Sequence, residues 1–287
     1  MARWNQVTII GVGLMGGSLG LALRKRGLAG RIVGAGHRQS SLDAARRCGA
    51  VDETFLDAAA AVRGSDLVVL ATPIGSFAEI LKRVAPVLEP GAVVMDVGSA
   101  KAQVVARLEP LVPDSCAFVG CHPIAGSEHR GVEHARDDLF EGAACVVTPT
   151  DRTPREALQR VIETWRGVGM VVRTLAPAVH DRLLAEVSHL PHVLASVLVR
   201  AISPEAESLT GPGWADTTRI ASGDPALWRD ILISNAAEVA ASIERAQGTL
   251  AAFRAALRQG DADRVHELLV QAKERRDQLL GDSKENR

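Results

Sequence analysis

Fifteen residues near the middle of the chain, VGCHPIAGSEHRGVE (119–133), bring together His122, His129, Ser127, Glu128 and Glu133 among turn-forming glycines. They directly follow the apolar run Cys116-Ala117-Phe118-Val119, so His122 is expected where a strand ends. Imidazole titrates near neutral pH, and a histidine there is suited to accept a proton from a reacting hydroxyl. Ser99 follows a second apolar run, Val93 to Val97, and should open onto the same side of a sheet. Its plain alternative is to cap a helix beginning near Lys101. His189 and His192, in SHLPH, share one face if a helix continues through Pro191; polar helix packing explains them equally well. Cys116, Cys121 and His122 are not read as metal ligands, because no second ligand cluster accompanies them and Cys116 falls in an apolar strand; the cysteines are read as ordinary buried or half-buried residues, and no metal site is expected.

A second group of residues implies a dinucleotide. Gly11-Val12-Gly13-Leu14-Met15-Gly16 is a GxGxxG set directly after an apolar strand and at the start of a helix. The three glycines allow a tight turn, close approach of a pyrophosphate, and close packing of helix on sheet. The helix start at Leu14 and Met15 offers free N–H groups and a positive dipole end to the phosphates. A carboxylate is then expected about 20 residues on, to bind the ribose of NAD. The sequence instead reads Gly34-Ala35-Gly36-His37-Arg38-Gln39-Ser40. With the acid missing, Arg38, aided by His37, leans toward the 2′-phosphate of NADP, with NAD as the other reading.

The elements that must position these groups alternate in the first half. Strand-like runs at 7–10, 31–34, 66–71, 92–97, 117–119 and 144–147 are separated by helical patterns at 14–26, 41–48, 77–88 and 155–165. This predicts an α/β fold with a doubly wound parallel sheet. Beyond Arg173 the patterns are helical, at 179–202, 226–259 and 263–280, with a frayed tail from Gly281. The expected domains are therefore 1–174, nucleotide-binding, and 175–287, all-helical. A formal net charge of -1 points to a small-molecule substrate and away from nucleic acid or an anionic membrane. Four cysteines without a CxxC pair, no signal-like N-terminus and no apolar run approaching about 18 residues favour a cytoplasmic protein.

Taken in order, the segments GVGLMGGSLGLAL (11–23), ATPI (71–74), DVGSAK (96–101), HPIAGSEHRGVEHARDDLFEG (122–142), HDRLLAEVSHLPH (180–192) and DTTRIASGDPALWRDI (216–231) resemble the prephenate/arogenate dehydrogenase family across nearly the whole length. That resemblance implies a Rossmann-type domain, an all-helical C-terminal domain that forms a homodimer, and oxidative decarboxylation of prephenate or arogenate with NAD or NADP. It implies that His122 is the catalytic histidine and that Ser99 binds the substrate hydroxyl and that histidine. Arg219 matches the arginine that holds a substrate carboxylate; its alternative is a surface pair with Asp216 or Asp224. By the same resemblance Thr72 and Pro73 line the nicotinamide ribose, Ser127 and Glu128 shape the pocket entrance, His189 and His192 lie near the substrate, and Asp181 and Trp228 are supporting residues.

Two other functions compete. A β-hydroxyacid dehydrogenase should carry a catalytic lysine in the second domain, where only Lys273 and Lys284 occur, both late and in charged surroundings. A non-catalytic nucleotide sensor should have lost His122, Ser99 or Arg219, and all three are present.

Overall fold

Valine- and isoleucine-rich runs form the strands. In the computed structural model, which describes residues 4–127 and 129–285, one eight-stranded sheet is built from β1 (Trp4–Ile10), β2 (Ala29–Ala35), β3 (Glu53–Phe55), β4 (Leu67–Leu70), β5 (Val93–Asp96), β6 (Ala117–Pro123), β7 (Ala144–Thr148) and β8 (Val171–Thr174). Its order is β3-β2-β1-β4-β5-β6-β7-β8. Between these strands run α1 (Leu14–Lys25), α2 (Gln39–Arg47), α3 (Ala58–Ala61), α4 (Phe77–Val84), α5 (Ala102–Leu108) and α6 (Arg155–Gly167).

Successive strand residues face opposite sides, and both sides are covered. Val7, Ile9, Leu67, Val69, Val93 and Met95 pack with Leu19 and Leu23 of α1 and Val161 and Trp165 of α6. Ile10, Val68, Leu70, Val94 and Phe118 pack with Phe77 and Leu81 of α4 and Val105 and Leu108 of α5. This is the doubly wound arrangement expected from the sequence.

The structure departs from the expected sheet in three places. β7 runs antiparallel to β6, whereas the other pairings are parallel. The β6–β7 connection has only a short 3-10 turn (Val132–His134) among its described residues, and a parallel return would need a crossover element. β3, of three residues and too short to show a period, and the edge strand β8 are additional to the expected runs. β6 outruns β5: residues 117–119 pair with β5, and residues 120–123 pair with β7. His122 therefore lies within the strand, opposite Val146, and not in a loop beyond it.

The helical half also differs in detail. The pattern at 179–202 forms α7 (Pro177–Leu184), a π-helical turn (Ala185–His189) and α8 (Leu190–Ala201), passing through Pro191 near the start of α8. It is followed by α9 (Pro212–Thr218) and a 3-10 turn (Arg219–Ser222). The single pattern expected at 226–259 breaks at Asn235 into α10 (Pro225–Ser234) and α11 (Ala236–Gln259). The last helix, α12 (Ala262–Glu285), continues through the tail expected to fray. Two compact units result, one ending at Ala236 and the other beginning at Ala237. Residues 177–201 are long and apolar enough, with mean hydropathy 1.2, to pass a length-and-composition test for a membrane span. Yet His180, Asp181, His189 and His192 are all buried on that run.

Helix α1 lies so close to the chain after α2 that a Cβ on Gly20 would overlap the Ala50 carbonyl oxygen and come within 3.1 Å of its carbon. Gly→Ala normally stabilises a helix by about 1 kcal/mol. Here Gly20→Ala is expected to destabilise by roughly 1–3 kcal/mol through overpacking. Urea denaturation measures the change, and an unaltered or higher midpoint would contradict the close approach.

Candidate active site

The strand order reverses between β1 and β4, and in such sheets ligands bind at the carboxyl ends of the strands beside that switch. β1 leads into Gly11, whose φ is +102°. A Cβ there would sit 2.6 Å from the Ala71 carbonyl and 2.7 Å from the Thr72 nitrogen, so only glycine fits beneath the end of β4. At Gly16 a Cβ would overlap the Gly11 carbonyl and lie 2.9 Å from Ile9 Cγ2. At Gly13 it would meet nothing within 4 Å, which leaves the backbone open to a ligand. Helix α1 has no side-chain cap and no acidic residue in its first turn, so N–H groups at Leu14 and Met15 keep their capacity for phosphate. Thr72 and Pro73 follow β4, and Thr72 Oγ1 is 2.8 Å from Ser76 Oγ. Past β2, His37 and Arg38 are exposed, and among the described residues Arg38 makes no ion pair. These residues fit an NAD(P) dinucleotide.

Beyond the end of β5, on β6, stands His122. It is 8% exposed, and its Nδ1 is 2.8 Å from His180 Nε2 on α7. His180 Nδ1 is in turn 2.7 Å from Asp181 Oδ1. Asp181 also accepts the backbone N–H of Lys101 at 2.7 Å on Oδ1 and that of Ala102 at 2.8 Å on Oδ2. The order of protons follows from these contacts. A carboxylate only accepts, so His180 Nδ1 carries a proton. When that is the ring's one proton, Nε2 accepts and His122 Nδ1 donates. His122 Nε2 is left as the bare, basic nitrogen, with no protein partner among the described residues. Burial, assisted by His180, Lys101 and His189, holds the His122 ring well below the ordinary range and therefore neutral at pH 7.

Beneath this chain lies a fully buried ion pair between Lys101 and Asp96, the last residue of β5. Asp96 also accepts N–H groups from Gly98, at 2.8 Å, and Cys121, at 3.1 Å. One carboxylate thus ties the end of β5, the Ser99 loop and β6 together immediately before His122. Cys121 points into the sheet core on the opposite face, and its burial raises the thiol to about 12. Among the described residues no group of three or more His, Cys, Asp or Glu side chains is placed to hold a metal.

The other expected residues are distributed around this centre. Ser99 is half-buried and makes no hydrogen bond to His122, whose Nδ1 is occupied by His180. Both His189 and His192 are buried. His192 stacks on Trp228 with ring centroids 3.6 Å apart, and His189 meets the same indole edge-on at 6.3 Å. Burial lowers the His192 ring, opposed by a bond to the Ile220 backbone, while its Nδ1 is buried without a partner. For His189, burial outweighs the attraction of Asp181 and pushes the ring down to about 4. Arg219 opens the 3-10 turn that packs against α8 and is exposed. Among the described residues it makes no ion pair; Asp224 pairs with Arg130 instead. Ser127 is exposed and accepts the His129 N–H at 3.2 Å. Glu128 lies outside the described residues. Reading the sequence assigned no role to His180, Lys101, Asp96 or Asn235, although the first three stand inside the quoted segments. Their signal was that titratable residues in DVGSAK and HDRLL fall in otherwise apolar helix or strand surroundings.

The chain is similar to known proteins over nearly its whole length. The chain matches the family described as "Prephenate dehydrogenase, nucleotide-binding domain" over residues 19–174, and "Prephenate dehydrogenase, dimerization domain" over residues 176–271. It is 31% identical over 282 residues to the prephenate dehydrogenase of Bacillus subtilis (strain 168), covering 96% of this chain and 76% of that one. A solved prephenate dehydrogenase from A. aeolicus, in complex with hydroxyphenyl propionate and NAD+, superposes with a TM-score of 0.89 at 35% identity, covering 96% of this chain and 98% of that one. Synechocystis arogenate dehydrogenase gives 0.83 at 28%, covering 96% and 99%.

The buried rings impose a pH dependence on stability. Unfolded histidine takes a proton near 6.5, but folded His189 takes one only at about 4. Between those values the unfolded state binds more protons, so stability falls as pH drops through that window. Thermal unfolding at about pH 7.5 and about pH 5 should show a lower Tm at the acid value, and a smaller drop in His189→Gln. An equal drop in both proteins would remove His189 as a source of the effect.

Proposed function

The chain belongs to the prephenate dehydrogenase family, and on that premise we propose that it catalyses oxidative decarboxylation of a cyclohexadienyl acid, prephenate or arogenate, with hydride transfer to NAD(P)+ in tyrosine biosynthesis. The observation that carries this reading is the chain Asp181–His180–His122. It sets the His122 ring, kept neutral by burial and with Nε2 free of any hydrogen bond among the described residues, at the carboxyl end of the sheet that bears the dinucleotide fingerprint.

Bound NAD(P)+ supplies the hydride acceptor. As hydride leaves the carbinol carbon, the ring hydroxyl becomes acidic and His122 Nε2 takes its proton. The positive charge that forms on His122 is shared through His180 with Asp181, whose two backbone donors keep it oriented. A ring carbonyl has then formed, the ring carboxylate departs as carbon dioxide, and its bonding electrons make the ring aromatic. The proton on His122 returns to the phenolic oxygen. Ser99, on the loop tied down by Asp96, is assigned to the substrate hydroxyl. Arg219, with no acidic partner among the described residues, is assigned to a substrate carboxylate, where a guanidinium fork adds orientation as well as charge. His189 and His192 are assigned to the wall of the same pocket, and Ser127 to its entrance.

We take residues 1–174 as the nucleotide-binding domain and 175–287 as the substrate and dimerisation domain; the end of β8 at Thr174 and the start of α7 at Pro177 support that boundary. A homodimer through the helical domain is supported by Leu250, Leu257 and Leu269, which are 56–66% exposed. Free cysteines fit a reducing, cytoplasmic compartment. Exposed Arg38 and the lack of a carboxylate after β2 favour NADP over NAD.

Four initial-rate assays, pairing prephenate or arogenate with NAD+ or NADP+, test the reading. Turnover is expected in at least one pairing, with the NADP+ rates higher; silence in all four, with the dinucleotide bound, would overturn the function. His122→Asn should lower kcat by about 100-fold or more, in line with loss of a general base, while leaving cofactor affinity unchanged. Arg219→Gln should chiefly raise KM. A fully active His122→Asn enzyme would refute the mechanism.

A further inference from the structure

Asn235 interrupts what the sequence presents as one helix, and it is 4% exposed. Its side-chain nitrogen is 2.7 Å from the backbone carbonyl of Asp181 and 3.2 Å from His189 Nδ1. The orientation of the amide is fixed by the first contact, because a flipped amide would set two acceptor oxygens against each other. The amide nitrogen has two N–H groups and no lone pair to offer. One N–H goes to the Asp181 carbonyl and the other to His189, whose Nδ1 must therefore accept. In a neutral ring the proton then resides on Nε2. This second nitrogen has no protein partner among the described residues, although the residue is only 1% exposed. His189 stands edge-on to Trp228, which stacks on His192, and lies near enough to His122 to bear on its charge.

We propose that Asn235 is a positioning residue that locks His189 as the Nε2–H tautomer, making this ring an obligatory hydrogen-bond donor to an anionic oxygen of the substrate. Two neutral imidazoles in one pocket thereby take opposite roles. His122 presents a bare Nε2 that accepts a proton, and His189 presents an Nε2–H that donates a hydrogen bond. The π-helical turn at Ala185–His189 makes this possible, since it brings His189 to the same asparagine that holds the Asp181 carbonyl. The role in substrate binding rests on the functional reading above; the tautomer does not.

The first measurement uses the full-length wild-type protein labelled with 15N-histidine, with two-bond 15N–1H correlation spectra at about pH 7, where histidine side chains report their tautomers. The His189 signals are assigned by their loss in His189→Gln. A protonated Nε2 and bare Nδ1 are expected; a ring protonated on Nδ1 overturns the proposal, whatever the enzyme's activity. Kinetics then test the coupling. Asn235→Ala and His189→Gln should each raise KM by roughly tenfold, the scale of a hydrogen bond to a charged group. Their double variant should lose little more than either one, with kcat and its pH profile near wild type. Fully additive losses would mean that Asn235 acts elsewhere, and would overturn its action through His189. If Asn235→Ala fails to fold, the wild-type spectrum still decides. A wild-type protein inactive on both substrates would sink the functional reading and leave the tautomer result standing.

Discussion

The carboxylate of Asp181 is the constraint on which the rest of the site depends. It comes from the helical run after β8, yet it accepts the backbone N–H groups of Lys101 and Ala102 at the start of α5. Those donors would otherwise be orphans at a helix start, and a buried orphan N–H is costly. The same oxygen that satisfies Lys101 also fixes His180, and through it the tautomer of His122. One group therefore secures the start of a helix and holds the His180 ring against His122. A neutral amide at that position would supply only one acceptor atom for three donors.

A second carboxylate, Asp96, does comparable work below. Burying a lysine and an aspartate together is expensive, and removing either partner alone typically costs about 3–5 kcal/mol, because the other is left uncompensated. Such a pair is weak evidence for stability as such. What it secures here is geometry, since Asp96 also gathers the N–H groups of Gly98 and Cys121, which directly precede Ser99 and His122. The positive charge of Lys101 has an electrostatic role as well. Together with burial and the neighbouring rings it disfavours a proton on His122, whose Nε2 has no hydrogen-bond partner among the described residues.

Much of this was legible in the sequence, for reasons that differ by element. Strands buried on both faces write themselves as unbroken apolar runs, and β1, β4, β5 and β7 were visible in that way. β3 was not, because three half-buried residues carry no period. The fingerprint could be read because its glycines answer backbone constraints that local sequence reports: Gly11 sits under Ala71, and Gly16 sits against Ile9. His122 could be found from its motif, but its partner could not. His180 is 58 residues away, and nothing local to either histidine encodes their approach. Ser99, half-buried on the loop before α5, makes no hydrogen bond to His122 in this structure, where His180 occupies Nδ1. The antiparallel turn from β6 to β7 goes with the lack of a crossover helix among the described residues of the connection, a feature that can be read only from what a sequence lacks.

Hydropathy gives the sharpest case of what a linear reading hides. Residues 177–201 are apolar enough to suggest a membrane span, yet that run carries Asp181, His180, His189 and His192, the polar groups around which the site is organised. Averaging over a window dilutes four polar residues among leucines, alanines and valines. Three dimensions reverse the emphasis, because a π-helical turn shifts the register between α7 and α8 and redistributes the histidines among different partners. His180 turns to His122, His189 to Asn235, and His192 to Trp228. The apolar residues between them are what make these contacts strong, since a dry surrounding raises the energy of every unpaired polar atom and so enforces each pairing. The composition that imitates a membrane helix is thus the same composition that keeps the His189 and His192 rings neutral and oriented.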